Sequence, residues 1–396
     1  MQGGKQDQLI DFTNTQNAFA HLSDQELRNT AWLFHLMSKP WLVKYGANLA
    51  LWAVRNQVPP AEMVIKKTIF YHFCGGSTLL DCQPRIDKLA ASGVLTVLDY
   101  GAEGKESELD FNHTMNENIR AIDFASRSKQ IPVVSTKLTG LARFGLLERI
   151  QSAEMLTREE LAEYRNALKR IDAICHQAAQ KGVSLYIDAE DSWIQDTIDH
   201  LVWLMMKRYN KERVVVFNTF QMYRTDRLQF LMSSFDRAQN EGFLLGAKLV
   251  RGAYMDKERE RAVEKNYPSP INPDKQATDD MYNTALRFCV DNYQKIALCN
   301  ASHNAESALL QAELMERKQI PRDHPHMMFS QLLGMSDNLT FNLAAAGFRV
   351  GKYVPYGQVR DVIPYLIRRA KENSAVTGDV GRELAFVLRE KKRRGI

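Results

Sequence analysis

The stretch VSLYIDAEDSWIQDTIDHLVWLMMKRYNKERVVVFNTF, residues 183–220, begins and ends with a short run of β-branched and apolar residues. Between the two runs lies a long segment with helical spacing. Two strands joined by such a segment are typical of a parallel pair, because a parallel connection has to return to the same end of the sheet. The stretch therefore predicts an α/β fold with parallel strands.

The same alternation continues on both sides of this stretch, from residue 93 onward. Short apolar runs occur as VLTVLDY from Val94, PVVSTKL from Pro132, VSLYIDA from Val183, RVVVFNTF from Arg213, LLGAKLVRG from Leu244, KIALCNAS from Lys295, HMMFSQLL from His326 and GFRVGKYVP from Gly347. Eight such units match a (β/α)8 barrel, which typically takes ~250 residues. We predict an N-terminal helical region at residues 1–90, a barrel domain at residues 91–380 and a basic C-terminal tail at residues 381–396. A doubly wound sheet is the alternative.

The composition is that of an ordinary globular protein, with 396 residues, 45% hydrophobic and 25% charged. The net charge of +5 is mild and is spread along the chain, with a basic cluster only in the last residues, REKKRRGI, so nucleic acid is not expected as a partner. The five cysteines show no CxxC or Cys/His ligand spacing. We therefore expect buried thiols in a reducing compartment and no metal site.

The N-terminus, MQGGKQDQLIDF, has no basic region followed by an apolar stretch, so no signal or transit peptide is expected. We predict a cytoplasmic protein with peripheral contact to the inner face of a membrane as an option. Residues 29–58 are rich in Trp and Leu. Helices packed on a larger domain are the preferred interpretation, and a membrane-facing surface is the alternative. Contact with a membrane would use Trp32, Trp41 and Trp52, or the tail from Arg389 to Arg394.

Catalytic residues of a (β/α)8 barrel lie at or just after the C-terminal ends of its strands. The predicted strand ends are strongly polar and hold Asp99, Glu103, Lys137, Asp188, Glu190, Asn218, Gln221, Lys248, Arg251, Ser302, His303, Asn304, Gln331, Tyr353 and Tyr356. Each residue alone has a structural explanation, such as a helix cap or a surface lysine. Together they indicate an anion-binding pocket for redox or acid/base chemistry.

A second polar pattern follows the last predicted strand, in KYVPYGQVRDVIPYLIRRAKEN, residues 352–373. Pro364 suits the first turn of a helix, with a loop before it, and Tyr365, Arg368, Arg369 and Glu372 then share one helical face. One interpretation is a solvated face with an Arg368–Glu372 ion pair. The other is a clamp for a carboxylate or phosphate, since guanidinium groups bind planar anions through two parallel hydrogen bonds.

Six motifs in this order resemble the proline dehydrogenase family, monofunctional type. They are STKLTG at 135–140, YIDAEDS at 186–192, KLVRGAYMDKER at 248–259, ASHN at 301–304, FSQLLGMSD at 329–337 and the stretch at 352–373. The resemblance covers roughly residues 65–380. It implies a distorted (β/α)8 barrel with a C-terminal helix over its mouth. It also implies FAD as cofactor, oxidation of L-proline to Δ1-pyrroline-5-carboxylate by hydride transfer from C5 to flavin N5, and a membrane quinone as electron acceptor.

The resemblance also implies roles for individual residues. Arg368 and Arg369 would bind the proline carboxylate with Lys137, while the ring would be walled by Tyr353, Tyr365 and one of Leu332 or Leu333. Glu103 and Glu372 would be arginine partners. The cofactor would contact Asn218, Gln221, Arg251, Gly252, Ala253, Ser302, His303, Asn304 and Glu372, with Lys248 near its reactive edge. The resemblance leaves open whether Lys248 and Arg251 exchange roles, and whether Asp188 holds the ammonium of Lys137 or acts as a general base.

Three alternatives to proline oxidation remain at this point. The first is a flavin-dependent barrel enzyme that oxidises a related cyclic amino acid such as hydroxyproline. The second is a barrel enzyme that clamps a phosphorylated or dicarboxylate substrate, and the third is a non-catalytic scaffold whose KKRR segment binds anionic lipid or nucleic acid. Flavin absorbance separates the flavoenzymes from the other two.

Overall fold

A computed structural model of the chain describes residues 9–56, 58–101, 104–372 and 379–396. Eight parallel strands follow one another in a closed barrel, and the last strand pairs with the first. The strands are β1 (Leu95–Tyr100), β2 (Val133–Thr136), β3 (Ser184–Ile187), β4 (Val216–Gln221), β5 (Leu245–Val250), β6 (Ile296–Ala301), β7 (Met327–Leu332) and β8 (Val350–Tyr356). All eight predicted strands are confirmed. The closure of the sheet excludes the doubly wound alternative.

The helices are α1 (Thr15–Phe19), α2 (Asp24–Met37), α3 (Pro40–Arg55), α4 (Pro59–Ile65), α5 (Tyr71–Phe73), α6 (Gln83–Ala90), α7 (Glu108–Ala125), α8 (Phe144–Gln151), α9 (Arg158–Lys181), α10 (Ser192–Tyr209), α11 (Arg227–Asn240), α12 (Met255–Glu264), α13 (Lys275–Asp291), α14 (Ala305–Arg317), α15 (Asp337–Ala345), α16 (Val359–Glu372) and α17 (Asp379–Arg394). A π-helix spans Lys66–Phe70, and 3₁₀ helices span Leu80–Cys82 and Leu138–Gly140. The predicted helical character of the first 90 residues is confirmed for its described part.

Local sequence sets where the helices begin and end. Helix α9 begins with a capping box, in which the Thr157 hydroxyl accepts from the Glu160 amide and the Glu160 carboxylate accepts from the Thr157 amide. It ends at Gly182, whose φ of 74° lies in the left-handed region that glycine adopts without a steric cost. Strand β3 starts two residues later. The long helix therefore delivers the chain directly into the next strand.

The chain divides into two compact units, residues 102–330 and residues 1–101 with 331–396. In residues 102–330, called unit two, every residue of β2 and β4 is buried, and α9 and α10 pack on β3 and β4. Such burial on both faces is typical of parallel strands that are covered by helices.

Residues 1–101 and 331–396, called unit one, have a core of their own among the helices. Phe19, Leu27, Phe34, Phe70 and Leu366 are buried in it, and α17 packs on α1 and α2. The boundaries predicted from the sequence at residues 90 and 380 stay a prediction. The predicted basic tail, residues 381–396, consists largely of helix α17.

The prediction that the arginine-bearing helix starts at Pro364 is wrong, because α16 begins at Val359 and Pro364 lies inside it. The polar residues before Pro364 form the first turn, since the carbonyl of Gln358 accepts from the amides of Asp361 and Val362. A proline in the second turn removes one backbone hydrogen bond and is tolerated when the rest of the helix is packed. Val362 and Leu366 provide that packing, as both are buried.

All five cysteines are buried thiols, as predicted. None of the described helices combines the length and the apolar character needed to cross a bilayer. In the described part of the chain, no three His, Cys, Asp or Glu side chains are grouped in a way that could hold a metal ion.

Candidate active site

Lys248 and Asp188 form a buried ion pair in unit two. The Lys248 ammonium donates to Asp188 Oδ1 at 2.5 Å, and the two side chains are only 7% and 13% exposed. Lys248 lies in β5 and Asp188 directly follows β3, so the pair spans β4. The ammonium also lies 5.5 Å from the centre of the Tyr186 ring. Sequence reasoning selected both residues but did not pair them with each other.

Arg251, which directly follows β5, is held by hydrogen bonds from three sides of its guanidinium. Its Nε donates to Asp279 Oδ1 at 2.6 Å, Nη1 to Ser302 Oγ at 2.6 Å and Nη2 to Ser307 Oγ at 3.0 Å. The guanidinium carbon lies 4.3 Å from the centre of the Tyr282 ring. These contacts fix the cation in one orientation while 22% of the side chain stays exposed.

Asp279 is itself tuned by this contact. Burial raises the pKa of Asp279, but hydrogen bonds from Lys275 and Arg251 and the positive charge of both outweigh burial, so the pKa lies below its usual value. The carboxylate therefore stays charged at neutral pH and keeps its hold on Arg251.

Gly252 occupies a backbone position that only glycine fits. Its φ is 135°, and a Cβ built there would lie 2.5 Å from the ring of Tyr223. Gly252 and Ala253 are both exposed. The backbone after Arg251 is thus open to a ligand, and the ring of Tyr223 supports it from below.

Asn218, in the middle of β4, and Gln221, at its end, are fully buried and bind within the protein. Asn218 Nδ2 donates to Asp199 Oδ1 at 2.9 Å, and its Oδ1 accepts from the Thr219 amide. Gln221 Nε2 donates to the carbonyl of Glu190 at 2.7 Å. These bonds order the strand ends, and most of the polar capacity of Asn218 is used inside the chain.

Ser302, His303 and Asn304 lie between β6 and α14, and His303 and Asn304 are half-buried. Asn304 caps α14, because its side chain accepts from the Ser307 amide at 2.9 Å. Ser302 accepts from Arg251 and from the Asn304 amide. The N-terminus of a 13-residue helix and a fixed guanidinium therefore lie next to each other, an arrangement that favours negative charge.

Lys137 follows β2 and is half-buried. Thr139, two residues on, donates through its amide and its hydroxyl to the carboxylate of Glu190, at 3.0 and 2.5 Å. This buried contact ties the loop after β2 to the loop after β3.

In unit one, helix α16 carries Tyr365, Arg368, Arg369 and Glu372, which together are called the arginine stripe. Arg369 Nη2 donates to Glu372 Oε1 at 2.6 Å, and its guanidinium carbon lies 5.0 Å from the centre of the Tyr365 ring. Arg369 is 7% exposed and Arg368 is half-buried. The hydroxyl of Tyr365 is buried without a partner among the described residues, and burial raises the pKa of Tyr365 well above its usual value. The predicted common face of Tyr365, Arg369 and Glu372 is therefore present.

Tyr353, Leu332 and Leu333 also lie in unit one. The amide of Leu333 donates to the carbonyl of Tyr353 at 3.0 Å, which joins the residue after β7 to β8. Tyr353 and Leu333 are buried, and Leu332 is half-buried. Glu103 lies outside the described residues.

Comparison with known proteins assigns the chain to a family. The family model for proline dehydrogenase matches residues 82–382. The chain belongs to the proline dehydrogenase family. It is 33% identical over 379 residues to proline dehydrogenase 1, mitochondrial, of Dictyostelium discoideum, covering 85% of this chain and 66% of that protein. It is 30% identical over 410 residues to hydroxyproline dehydrogenase of Xenopus laevis, covering 94% of this chain and 88% of that protein.

A solved structure gives the same fold. Proline utilization A from Bdellovibrio bacteriovorus, inactivated by N-propargylglycine, superposes with a TM-score of 0.77 at 18% identity. The match covers 94% of this chain and 42% of that one. The proline dehydrogenase family and the barrel architecture are therefore established independently of each other.

The sequence analysis did not identify the residues that hold Arg251 in place. Asp279 and Tyr282 lie on α13 and Ser307 lies on α14, away from the strand ends where candidates were sought. Tyr223, whose ring contacts Gly252, lies two residues after β4. It was not selected because its side chain is uncharged. The only signal was Gly252 itself, since a glycine directly after a charged strand end indicates a close approach of another group.

Proposed function

We propose that this chain oxidises L-proline to Δ1-pyrroline-5-carboxylate with FAD and passes the electrons to a membrane quinone, as the first step of proline catabolism. The observation that carries the proposal is the buried, fixed guanidinium of Arg369 on α16, held by Glu372 and Tyr365. Arg368 lies beside it, so the stripe offers two guanidinium groups to a ligand. A planar carboxylate accepts hydrogen bonds in the geometry that guanidinium groups favour.

The other substrate contacts follow from the same proposal. The unpartnered hydroxyl of Tyr365 supports a ligand at this stripe, because buried hydroxyl groups are rarely left without a hydrogen bond. Tyr353 and Leu332 or Leu333 would wall the pyrrolidine ring. Lys137 as a third carboxylate contact and Glu103 as an arginine partner stay predictions.

Unit two has the donor set that an anionic cofactor needs. FAD carries a pyrophosphate, and the fixed Arg251, the open backbone at Gly252 and Ala253 and the N-terminus of α14 supply positive charge and donors for it. Ser302, His303, Asn304 and Lys248 complete the proposed cofactor contacts, while Asn218 and Gln221 would act mainly by ordering the strand ends. When bound, FAD supplies the acceptor, at N5, for the hydride that leaves C5 of proline.

The protein must also manage a proton. The proline nitrogen has to be neutral before hydride leaves C5, because its lone pair forms the new C=N bond. Orientation is the main contribution of α16, since a carboxylate held at one end of the ring fixes where C5 lies. Asp188, which accepts from Lys248, is proposed to hold the ammonium of Lys137 in place, and a role as general base is the alternative.

A visible spectrum before and after anaerobic L-proline tests the proposal. A purified yellow protein that is bleached by L-proline supports it. A yellow protein whose absorbance is unchanged by L-proline but is bleached by 4-hydroxyproline would show that hydroxyproline is the substrate. A colourless protein that gains no absorbance on reconstitution with FAD would contradict a flavoenzyme and favour the phosphate-clamp or scaffold alternatives.

Membrane contact is proposed through an apolar groove of about 580 Å³ in unit one, lined by α2, α3, α4 and α16. Trp32, Trp41 and Trp52, which line it or flank it, are 54%, 60% and 57% exposed. Monomeric proteins rarely leave so much connected apolar surface in water. Tryptophan is also the residue that favours the boundary between lipid headgroups and acyl chains.

The charge around this groove suits an anionic lipid surface. Between Leu27 and Leu79 the sequence has one acidic residue, Glu62, against the basic residues Arg28, Lys39, Lys44, Arg55, Lys66 and Lys67. The C-terminal basic residues are less suited, because Arg393 and Arg394 both bind the carboxylate of Glu390, and Arg394 also donates to the carbonyls of Phe19 and Leu22. A cytoplasmic protein docked on the inner face of a membrane is the location that this proposal implies.

A further inference from the structure

A second cavity lies in unit one, shares Leu33 and Thr68 with the lining of the apolar groove, and is not lined by the arginine stripe of α16. Its volume is about 210 Å³, and it lies among α2, α6, the π-helix region and the segment between β7 and α15. One part of its wall is apolar, formed by Leu22, Leu33, Leu89 and Phe341. The other part carries five acidic or basic side chains, namely Glu26, Arg85, Lys88, Asp337 and Lys352.

Four of these side chains form two pairs. Lys352 Nζ lies 2.7 Å from Asp337 Oδ1, and Lys88 pairs with Glu26. Arg85 is different, because among the described residues it has no carboxylate within ion-pair distance and its only hydrogen bond is to the carbonyl of Tyr71 at 2.8 Å. Among these five side chains, Arg85 is thus the basic group with no carboxylate in contact, although Asp337 and Glu26 lie near enough to act on its charge.

Two histidines in the wall add no positive charge at neutral pH. Burial lowers the pKa of His21 and of His72 to about 4, with Asp337 opposing the shift in both cases. His72 Nε2 lies 3.0 Å from the carbonyl of Gly334, and His21 Nε2 lies 3.6 Å from Asp337. The Nδ1 of His21 is buried and has no hydrogen-bond partner in the described part of the chain. A buried ring nitrogen of this kind indicates a missing water or ligand.

We propose that this cavity binds a small organic monocarboxylate, with Arg85 as the principal contact. A monocarboxylate supplies the contact that Arg85 lacks, since the guanidinium fork matches a carboxylate. The apolar wall suits a short hydrocarbon portion, and the volume is below the 300–1,000 Å³ that is typical of larger ligands. Inorganic phosphate fits less well, because it has no apolar part to pack on Leu22, Leu33 and Leu89.

Butyrate binding to the full-length protein with its cofactor, measured by calorimetry at constant ionic strength, tests this site. The Arg369→Lys variant serves as the background, so that butyrate at the arginine stripe of the proposed function does not contribute. We expect saturable butyrate binding that Arg85→Gln weakens at least tenfold. Arg360→Gln, a change of a 79% exposed arginine on α16, should leave it unchanged. Phosphate should bind more weakly than butyrate.

Equal butyrate affinity in Arg85→Gln and Arg360→Gln, or no saturable binding at all, would overturn the proposal. Loss of all binding in the Arg369→Lys background would assign butyrate to the stripe and also overturn it. If Arg85→Gln does not fold, Thr30→Phe replaces it, because a larger side chain at this lining position should abolish binding without removing a charge. Binding that survives Thr30→Phe would count against the cavity. These outcomes do not depend on whether the protein oxidises proline.

Discussion

Asp279 of α13 accepts a hydrogen bond of 2.6 Å from Arg251, the cation that follows β5. A residue on a helix thus fixes the orientation of a residue on the strand end, where the cofactor is proposed to bind. Orientation of this kind is what a rigid binding site requires from the residues behind its direct contacts.

Asp279→Asn should lower FAD affinity about tenfold, or roughly 1.4 kcal/mol, because the amide cannot balance the charge of Arg251. KM for proline should stay within about twofold at saturating FAD. Fluorescence titration of the apoprotein with FAD measures the effect. Asp280→Asn, a change of the exposed neighbour on α13, is the matched control. Equal FAD affinity in both variants would mean that Asp279 does not position Arg251 for the cofactor.

Arg369→Lys keeps the charge of the stripe and removes the planar fork. We expect KM for proline to rise about ten- to a hundredfold, corresponding to the loss of a charge-assisted hydrogen bond of roughly 1.5–3 kcal/mol. FAD content should match that of the parent. Steady-state kinetics and flavin occupancy on one preparation measure both, with Arg360→Lys on the exposed side of α16 as control. An unchanged KM for proline at full flavin occupancy would mean that Arg369 does not bind the proline carboxylate.

Asp188 and Lys248 should depend on each other for stability. Asp188→Asn removes a carboxylate that contacts a buried ammonium and should cost about 3–5 kcal/mol in the free energy of unfolding. Adding Lys248→Met should recover most of that loss. Urea unfolding of the two single variants and the double variant gives the coupling energy. Strictly additive losses would show that the two groups do not depend on each other.

Stability should fall as the pH falls from about 6.5 to about 4. His21 and His72 have a folded pKa of about 4, lowered by burial, whereas the unfolded value is 6.5. The unfolded chain therefore binds more protons in this window, and each histidine should cost on the order of 3 kcal/mol across it. Urea unfolding at pH 7.5, 6 and 5 measures the slope.

The matched variants are His72→Gln and His35→Gln, since His35 is exposed on α2. His72→Gln should flatten the pH dependence of the free energy of unfolding below pH 6.5, and His35→Gln should not. The same slope in both variants would assign the pH dependence to other groups.

The tryptophans of α2 and α3 should carry the membrane contact. A variant with Trp32→Gln, Trp41→Gln and Trp52→Gln should partition at least tenfold less onto vesicles of zwitterionic lipid with 30% anionic lipid. Lys391→Gln with Lys392→Gln on α17 should have little effect. Sedimentation with liposomes measures both. Equal binding of the two variants would reject the groove as the contact surface.

The amino-acid sequence by itself determined the order of the eight strands and their helices, while the closure of the sheet into a barrel was decided by the tertiary structure. Eight apolar runs separated by helical segments specify strand and helix order, because the periods of 2 and 3.6 residues are local properties and parallel strands require crossovers. It also determined the arginine stripe, since Tyr365, Arg369 and Glu372 meet by helical spacing alone. The start of α16 was misjudged because Pro364 suits a first turn equally well, and only the packing of Val362 and Leu366 decides the register of the helix.

Contacts between distant segments were decided by the tertiary structure. Asp188 and Lys248 are 60 residues apart, Arg251 and Ser307 are 56 apart, and no local pattern joins them. Arg85 was likewise indistinguishable from a surface arginine in the sequence. Its place in a cavity wall results from the way in which α6, α2 and the segment after β7 pack together. Charge balance and burial depend on which segments meet, so they arise from the fold and not from the spacing of residues along the chain.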